Sequence, residues 1–169
     1  KKIAFVYSAE SEIPSGIYAD EKRLRQVLIN LLGNAIKFTE RGEVKFTVKS
    51  RKLENLNYQV RFQIEDTGVG MTAGQLTKIF LPFEQVGDNK YQAQGSGLGL
   101  AITQKIVSLM KSTIQVSSQI GKGSIFWFDL EVTETTRWLD IARLRSQGKI
   151  VGFHGNKQKI LVVDDRWEN

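Results

Sequence analysis

The sequence predicts an α+β fold: a two-layer α/β sandwich in which helices cover one face of a mixed, mostly antiparallel sheet. Three observations predict it. Two stretches, Leu24 to Ile36 and Leu98 to Met110, carry apolar residues at helical spacing. Two adjacent stretches, Val44-Phe46-Val48 and Val60-Phe62-Ile64, alternate apolar with polar residues around a segment containing Asn55 and Asn57. Strand pairs and helices follow one another in blocks, which is the order of an α+β domain.

Each element follows from local sequence. Residues 3 to 7 (IAFVY) read as a strand, and Pro14 and Gly16 interrupt what comes next. Asp20 is placed to cap a helix, with Glu21 in its first turn. In that helix Leu24, Val27, Leu28, Leu31, Leu32, Ala35 and Ile36 define one buried face, and Gly42 is expected to end the unit. The alternating stretches then form a hairpin, followed by the turn Asp66-Thr67-Gly68-Val69-Gly70. Thr72 is suited to cap a short helix ending near Phe80. Residues 84 to 97 are polar, glycine-containing and without periodicity, and read as a mobile loop. A second helix, 98 to 110, leads to a closing strand pair at 113–118 and 124–132, turning around Gly121 and Gly123.

The 169 residues suffice for one globular domain and a tail. Its boundary falls near residue 133. Residues 134 to 158 read as a linker in which Trp138, Ile141 and Leu144 could form a short turn. Residues 159 to 163 (KILVV) form a compact apolar strand running into Asp164 and Asp165. The chain starts inside what reads as a strand, so further sequence is expected upstream. With no cysteine there is no disulfide framework or thiolate metal site, which fits a reducing compartment. No apolar run approaches the roughly 20 residues of a membrane span. The formal charge of +6 is spread along the chain without a basic cluster interleaved with aromatics. That argues against a nucleic-acid partner and would suit an anionic ligand.

Three segments carry candidate chemistry. On the first helix, Arg23, Asn30, Asn34 and Lys37 share a stripe whose centre lies about 120° from that of the apolar face. Two amides and a lysine in line suit Mg²⁺ and phosphate, because Mg²⁺ takes oxygen ligands and shares its shell with waters and substrate phosphates. A solvated helix face accounts for the same stripe. In the turn after the hairpin, Asp66 is an acceptor placed to meet the amino edge of a purine, and Gly68 and Gly70 permit close backbone approach. An ordinary tight turn with an Asp cap reads the same way. Gly95-Ser96-Gly97-Leu98-Gly99-Leu100 opens the second helix and aims backbone N–H groups where an anion would be held. Its glycines alternate as GxGxG, neither the dinucleotide fingerprint nor a Walker loop.

Taken in order, these segments resemble the ATP-binding catalytic domain of sensor histidine kinases, of the Bergerat fold shared with gyrase, the Hsp90-type chaperones and MutL. The resemblance covers residues 1 to about 133. RLRQVLINLLGNAIKFT (23–39) is similar to the family's N box, and EDTGVGM (65–71) to its first glycine box. IFLPFEQV (79–86) is similar to its phenylalanine box, and GSGLGLAI (95–102) to its second glycine box.

The resemblance implies ATP and Mg²⁺ as cofactors, and roles for the matching positions. Asn34 would hold Mg²⁺, with Asn30 assisting near the phosphates. Lys37 would contact phosphate, and Phe38 would line the adenine pocket. Asp66 would accept from the adenine amino group, with Gly68 and Gly70 letting the base sit close. Residues 84 to 97 would be the ATP lid, its start anchored by Phe80 and Phe83, for both of which core packing is the plainer physical reason. Ser96, Gly97, Leu98 and Gly99 would present backbone groups to phosphate. The lid has no arginine, so its sole cation, Lys90, is the candidate γ-phosphate contact. Related ATPases carry a glutamate base four residues before the magnesium asparagine. Here that place holds Asn30, an amide that cannot take a proton from water.

The family's activity is transfer of the ATP γ-phosphoryl group to a histidine on a separate dimerisation domain. That implies weak hydrolysis here and an imidazole acceptor. The only histidine, His154, lies in the linker outside the acceptor motif and reads as structural or solvent-exposed. KILVVDD (159–165) resembles the first strand and acidic pair of a receiver domain, here truncated, which implies a hybrid kinase. The implied partners are that dimerisation domain and a receiver. The isolated domain would be monomeric, and the full-length protein a homodimer working in the cytoplasm and open to membrane anchoring. Two other readings stay open: a nucleotide-gated interaction module without phosphotransfer, and a serine kinase of the anti-sigma type, against which the receiver-like tail argues.

Overall fold

The computed structural model describes residues 1–84 and 97–135. The expectations placed on Lys90, Ser96, His154 and the strand at 159–163 lie outside these residues. In chain order the elements are β1 (Lys2–Ala9), β2 (Ile17–Tyr18), α1 (Glu21–Phe38), β3 (Arg41–Lys52), β4 (Asn57–Asp66), α2 (Ala73–Leu76), α3 (Gly99–Leu109), β5 (Gln115–Gln119) and β6 (Gly123–Glu134). The six strands make one sheet in the order β1-β3-β4-β6-β2, with β5 also paired to β6. The β1–β3 pair is parallel and the other pairs are antiparallel, so the sheet is mixed and mostly antiparallel as predicted.

Register explains the core. Val48 lies opposite Phe62, and Phe62 opposite Phe128, so every second residue of three neighbouring strands faces the same side. Phe62 and Phe128 stack at 5.3 Å between ring centroids. Onto this face α1 sets Val27, Leu31 and Ala35, and α3 sets Ile106 and Val107, all buried. Each large aliphatic side chain so covered contributes about 1.5–3 kcal/mol. The opposite face is polar and half-exposed, and Arg61 grips Asp129 across β4 and β6 with bonds of 2.7 and 2.8 Å.

The structure departs from the sequence expectations in several places. Ile36 was expected in the core but is 45% exposed, because it stands at the far margin of the α1 stripe. Gly42 does not end the helix. Thr39 does, by turning extended while its hydroxyl bonds back to the Ala35 carbonyl at 2.8 Å; Gly42 instead lies in β3 with φ +118°. The helix capped by Thr72 is one turn long, and Phe80 lies beyond it. Phe83 was expected to pack inside, yet it is 75% exposed at a backbone φ of +65°. The segment after Pro14 holds a two-residue strand, β2, which pairs with the end of β6.

Candidate functional site

The stripe on α1 is fixed at both ends of its helix. Asp20 caps the N-terminus by accepting from the Arg23 N–H at 3.1 Å. The Lys1 ammonium meets the C-terminal end, donating to the carbonyls of Ile36 at 2.7 Å, Lys37 at 2.5 Å and Thr39 at 3.1 Å. A cation there satisfies carbonyls that have no partner within the helix and opposes their dipole.

Asn30, Asn34 and Lys37 do come together, lining a groove of about 660 Å³ between α1 and the N-terminal part of α3. Gly99 and Thr103 form the opposing wall. Asn30 is committed to that wall, donating from Nδ2 to the Thr103 hydroxyl at 2.7 Å. The Lys37 ammonium stands 5.1 Å from the centre of the Phe38 ring, a cation–π distance. Among the described residues no three His, Cys, Asp or Glu side chains gather as a metal cage. The groove's side-chain oxygens are the amides of Gln26, Asn30 and Asn34 and the Thr103 hydroxyl.

Phe38 joins this groove to the glycine turn. Its carbonyl accepts from the Val69 N–H at 3.3 Å. Asp66, the last residue of β4, is 6% exposed and accepts from the Gly68 N–H at 2.8 Å. Burial holds its carboxyl above the ordinary aspartate range, against the opposing pull of the Gly68 and Ser124 backbone N–H groups. The glycines have reasons of their own. A Cβ on Gly68 would strike the Phe38 carbonyl, and one on Gly70, at φ +64°, would strike the Gln119 carbonyl. Close approach is therefore enforced by the fold itself.

Of the second glycine segment, Gly97, Leu98, Gly99 and Leu100 are described. Gly97, at φ +70°, accepts from the Phe83 N–H at 3.0 Å. The two ends of the stretch that begins after Phe83 and ends before Gly97 are thus pinned together. Leu98 caps α3 without a side-chain bond to the helix, and Gly99 gives the Asn30 amide room. Phe83 is not among the groove residues.

Sequence reasoning missed part of the site. Thr103 gave no signal, since a threonine in an apolar helix reads as filler. Gln26 and Gly33 also line the groove. Extending the stripe by the same three- and four-residue steps, 26, 30, 33 and 37, would have found both.

The segment that carries this groove is similar to known proteins. The family model "Histidine kinase-, DNA gyrase B-, and HSP90-like ATPase" matches residues 19–134. The chain belongs to this family. It is 38% identical over 133 residues to the signal transduction histidine-protein kinase BarA of Escherichia coli K12, covering 78% of this chain and 14% of that protein. Over 141 residues it is 38% identical to the peroxide stress-activated histidine kinase mak2 of Schizosaccharomyces pombe, covering 80% of this chain and 6% of that one. The crystal structure of full-length ShkA in complex with AMPPNP aligns with a TM-score of 0.65 at 36% identity, over 79% of this chain and 26% of that chain. The chain thus spans a small part of these relatives and corresponds to the ATPase domain of histidine kinases. Its curled mixed sheet is the Bergerat fold.

Proposed function

We propose that this domain is the phosphoryl-donor module of a hybrid sensor histidine kinase. It binds ATP with Mg²⁺ and passes the γ-phosphoryl group to a histidine on a separate dimerisation domain, for onward transfer to a receiver aspartate. One observation carries the reading: a buried carboxylate, Asp66, and a polar groove lined by Asn30, Asn34 and Lys37 meet through the consecutive residues Lys37 and Phe38. A purine amino group recognised at one end puts the phosphates at the other.

Each residue has a chemical task. Asp66 accepts from the adenine amino group, and Phe38 offers its ring to the base. Lys37 sets a positive charge by the phosphates, aided by the N-terminal first turn of α3. The amide donors fit Mg²⁺ carried in with the nucleotide, Asn34 supplying the protein oxygen and phosphates and water the rest. Bound there, Mg²⁺ would neutralise developing phosphate charge. The chain's own contribution is positioning and a fixed electrostatic frame, which provide most of the rate in phosphoryl transfer. Asn30 offers no base for water, which favours an acceptor that is itself a nucleophile.

The domain acts as a monomer, supplied with its acceptor by a homodimeric cytoplasmic parent. No helix among the described residues is long and apolar enough to cross a membrane. The test is label transfer. Loaded with γ-labelled ATP, the chain is expected to label a separately supplied helical domain bearing the acceptor histidine. ATP binding without transfer would favour a nucleotide-gated interaction module instead.

A further inference from the structure

The wall that α3 gives to the groove carries a polar side chain that nucleotide chemistry does not require. Thr103 lies in the second turn of α3 and is 2% exposed. Its hydroxyl accepts from Asn30 Nδ2 at 2.7 Å, across 73 residues of sequence. The other amide atom meets the same helix: a Cβ built on Gly99 would come within 2.6 Å of Asn30 Oδ1. The Asn30 amide therefore lies flat against α3, its nitrogen on Thr103 and its oxygen beside Gly99.

We infer that Thr103 is a positioning residue: it holds one atom of the Asn30 amide, the N–H in this structure, to the protein and leaves the other for the groove. Without that bond the amide can rotate by half a turn about its last torsion and offer a donor where an oxygen belongs. With it, Oδ1 is the atom available to a magnesium-bound water or to another donor at the phosphate end. Partners of this kind, one step removed from the ligand, are worth about 10- to 100-fold in metal affinity or activity. The bond also joins the helix bearing the polar stripe to the helix that begins beside Gly97, so both walls of the groove keep one spacing. Gly99 completes the arrangement, because only a residue without Cβ lets the amide lie this close.

The inference rests on the nucleotide reading of the groove for its effect on binding, but the clamp itself can be seen without nucleotide. In ¹⁵N-labelled chain the Asn30 NH₂ pair, assigned by its loss in Asn30→Ala, is expected to show one proton shifted downfield and slow to exchange. Thr103→Val keeps the shape and removes the acceptor. It should abolish that signature and weaken binding of a non-hydrolysable ATP analogue in Mg²⁺ by about tenfold, in a chain that still unfolds cooperatively with at most the stability loss of one hydrogen bond. Thr103→Ser should restore both. Should Thr103→Val not fold, Gly99→Ala serves, since its Cβ presses on the amide while the hydroxyl stays; the same two losses are expected. Unchanged amide signals and affinity in Thr103→Val would overturn the inference, as would a Thr103→Ser that behaves like the valine. A wild-type chain that shows the amide signature but binds no nucleotide would overturn the functional reading and leave the clamp standing.

Discussion

Asp66→Asn separates what the fold needs from what the ligand needs. Asp66 is 6% exposed and sits at the strand end with one oxygen on the Gly68 N–H at 2.8 Å. In the variant the amide oxygen can keep that bond, which turns the NH₂ toward the base, donor against donor. A hydrogen bond to a charged group is worth about 1.5–3 kcal/mol, so ATP affinity should fall roughly 10- to 150-fold. The assay is calorimetric titration with ATP and with inosine triphosphate, which carries a carbonyl where adenine has its amino group. The wild-type chain should prefer ATP by the same factor, and the variant should lose that preference. Stability should move the other way. Burial raises the Asp66 carboxyl, so the native chain holds its proton more tightly than the unfolded chain does. The charged form therefore costs stability above that raised value, and the cost is relieved as pH falls to the ordinary aspartate range. Urea unfolding should show Asp66→Asn more stable than wild type at neutral pH, with the gap closing in acid. A variant that binds ATP as wild type does, or a wild type blind to the amino group, would refute the reasoning.

Other residues give simpler tests. Asn34→Ala should bind ATP with an affinity that no longer rises when Mg²⁺ is added, measured by titration with and without the ion. Gly70→Ala combines a positive φ with a collision against the Gln119 carbonyl, and should lose about 1–3 kcal/mol in urea unfolding. Arg61→Ala breaks a partly exposed cross-strand pair far from the groove residues. It should cost under about 1 kcal/mol and leave nucleotide affinity unchanged.

The sequence made the main elements legible where period and burial agree. The α1 stripe and the alternation in β3, β4 and β6 each mark a single buried face, and those faces form the core. The direction of β1 was not legible, since alternation has the same period in parallel and antiparallel pairs. The two-residue β2 is too short to carry any period. Ile36 and Phe83 show the limit of reading apolar as buried: one stands at the margin of its stripe, and the other is turned outward by its backbone. In the site, Asn30, Asn34 and Lys37 could be grouped because they share one helix. Thr103 could not, because its partner lies on another helix and only the packing of α1 on α3 brings the two together. Gly68 and Gly70 were read as letting a ligand sit close; the packing of the turn against backbone carbonyls at Phe38 and Gln119, which also excludes a Cβ there, was not legible.

The central claim is that the domain donates phosphate to a nucleophile and is poorly equipped to activate water. A single-turnover reaction tests it most directly: chain, Mg²⁺, γ-labelled ATP and the supplied acceptor domain, quenched over time and resolved into phosphoprotein and free phosphate. Most of the label should appear on the acceptor as an acid-labile, base-stable phosphoimidazole, with free phosphate forming slowly when the acceptor is omitted. Rapid release of free phosphate from the chain alone, at a rate matching or exceeding transfer, would contradict the account.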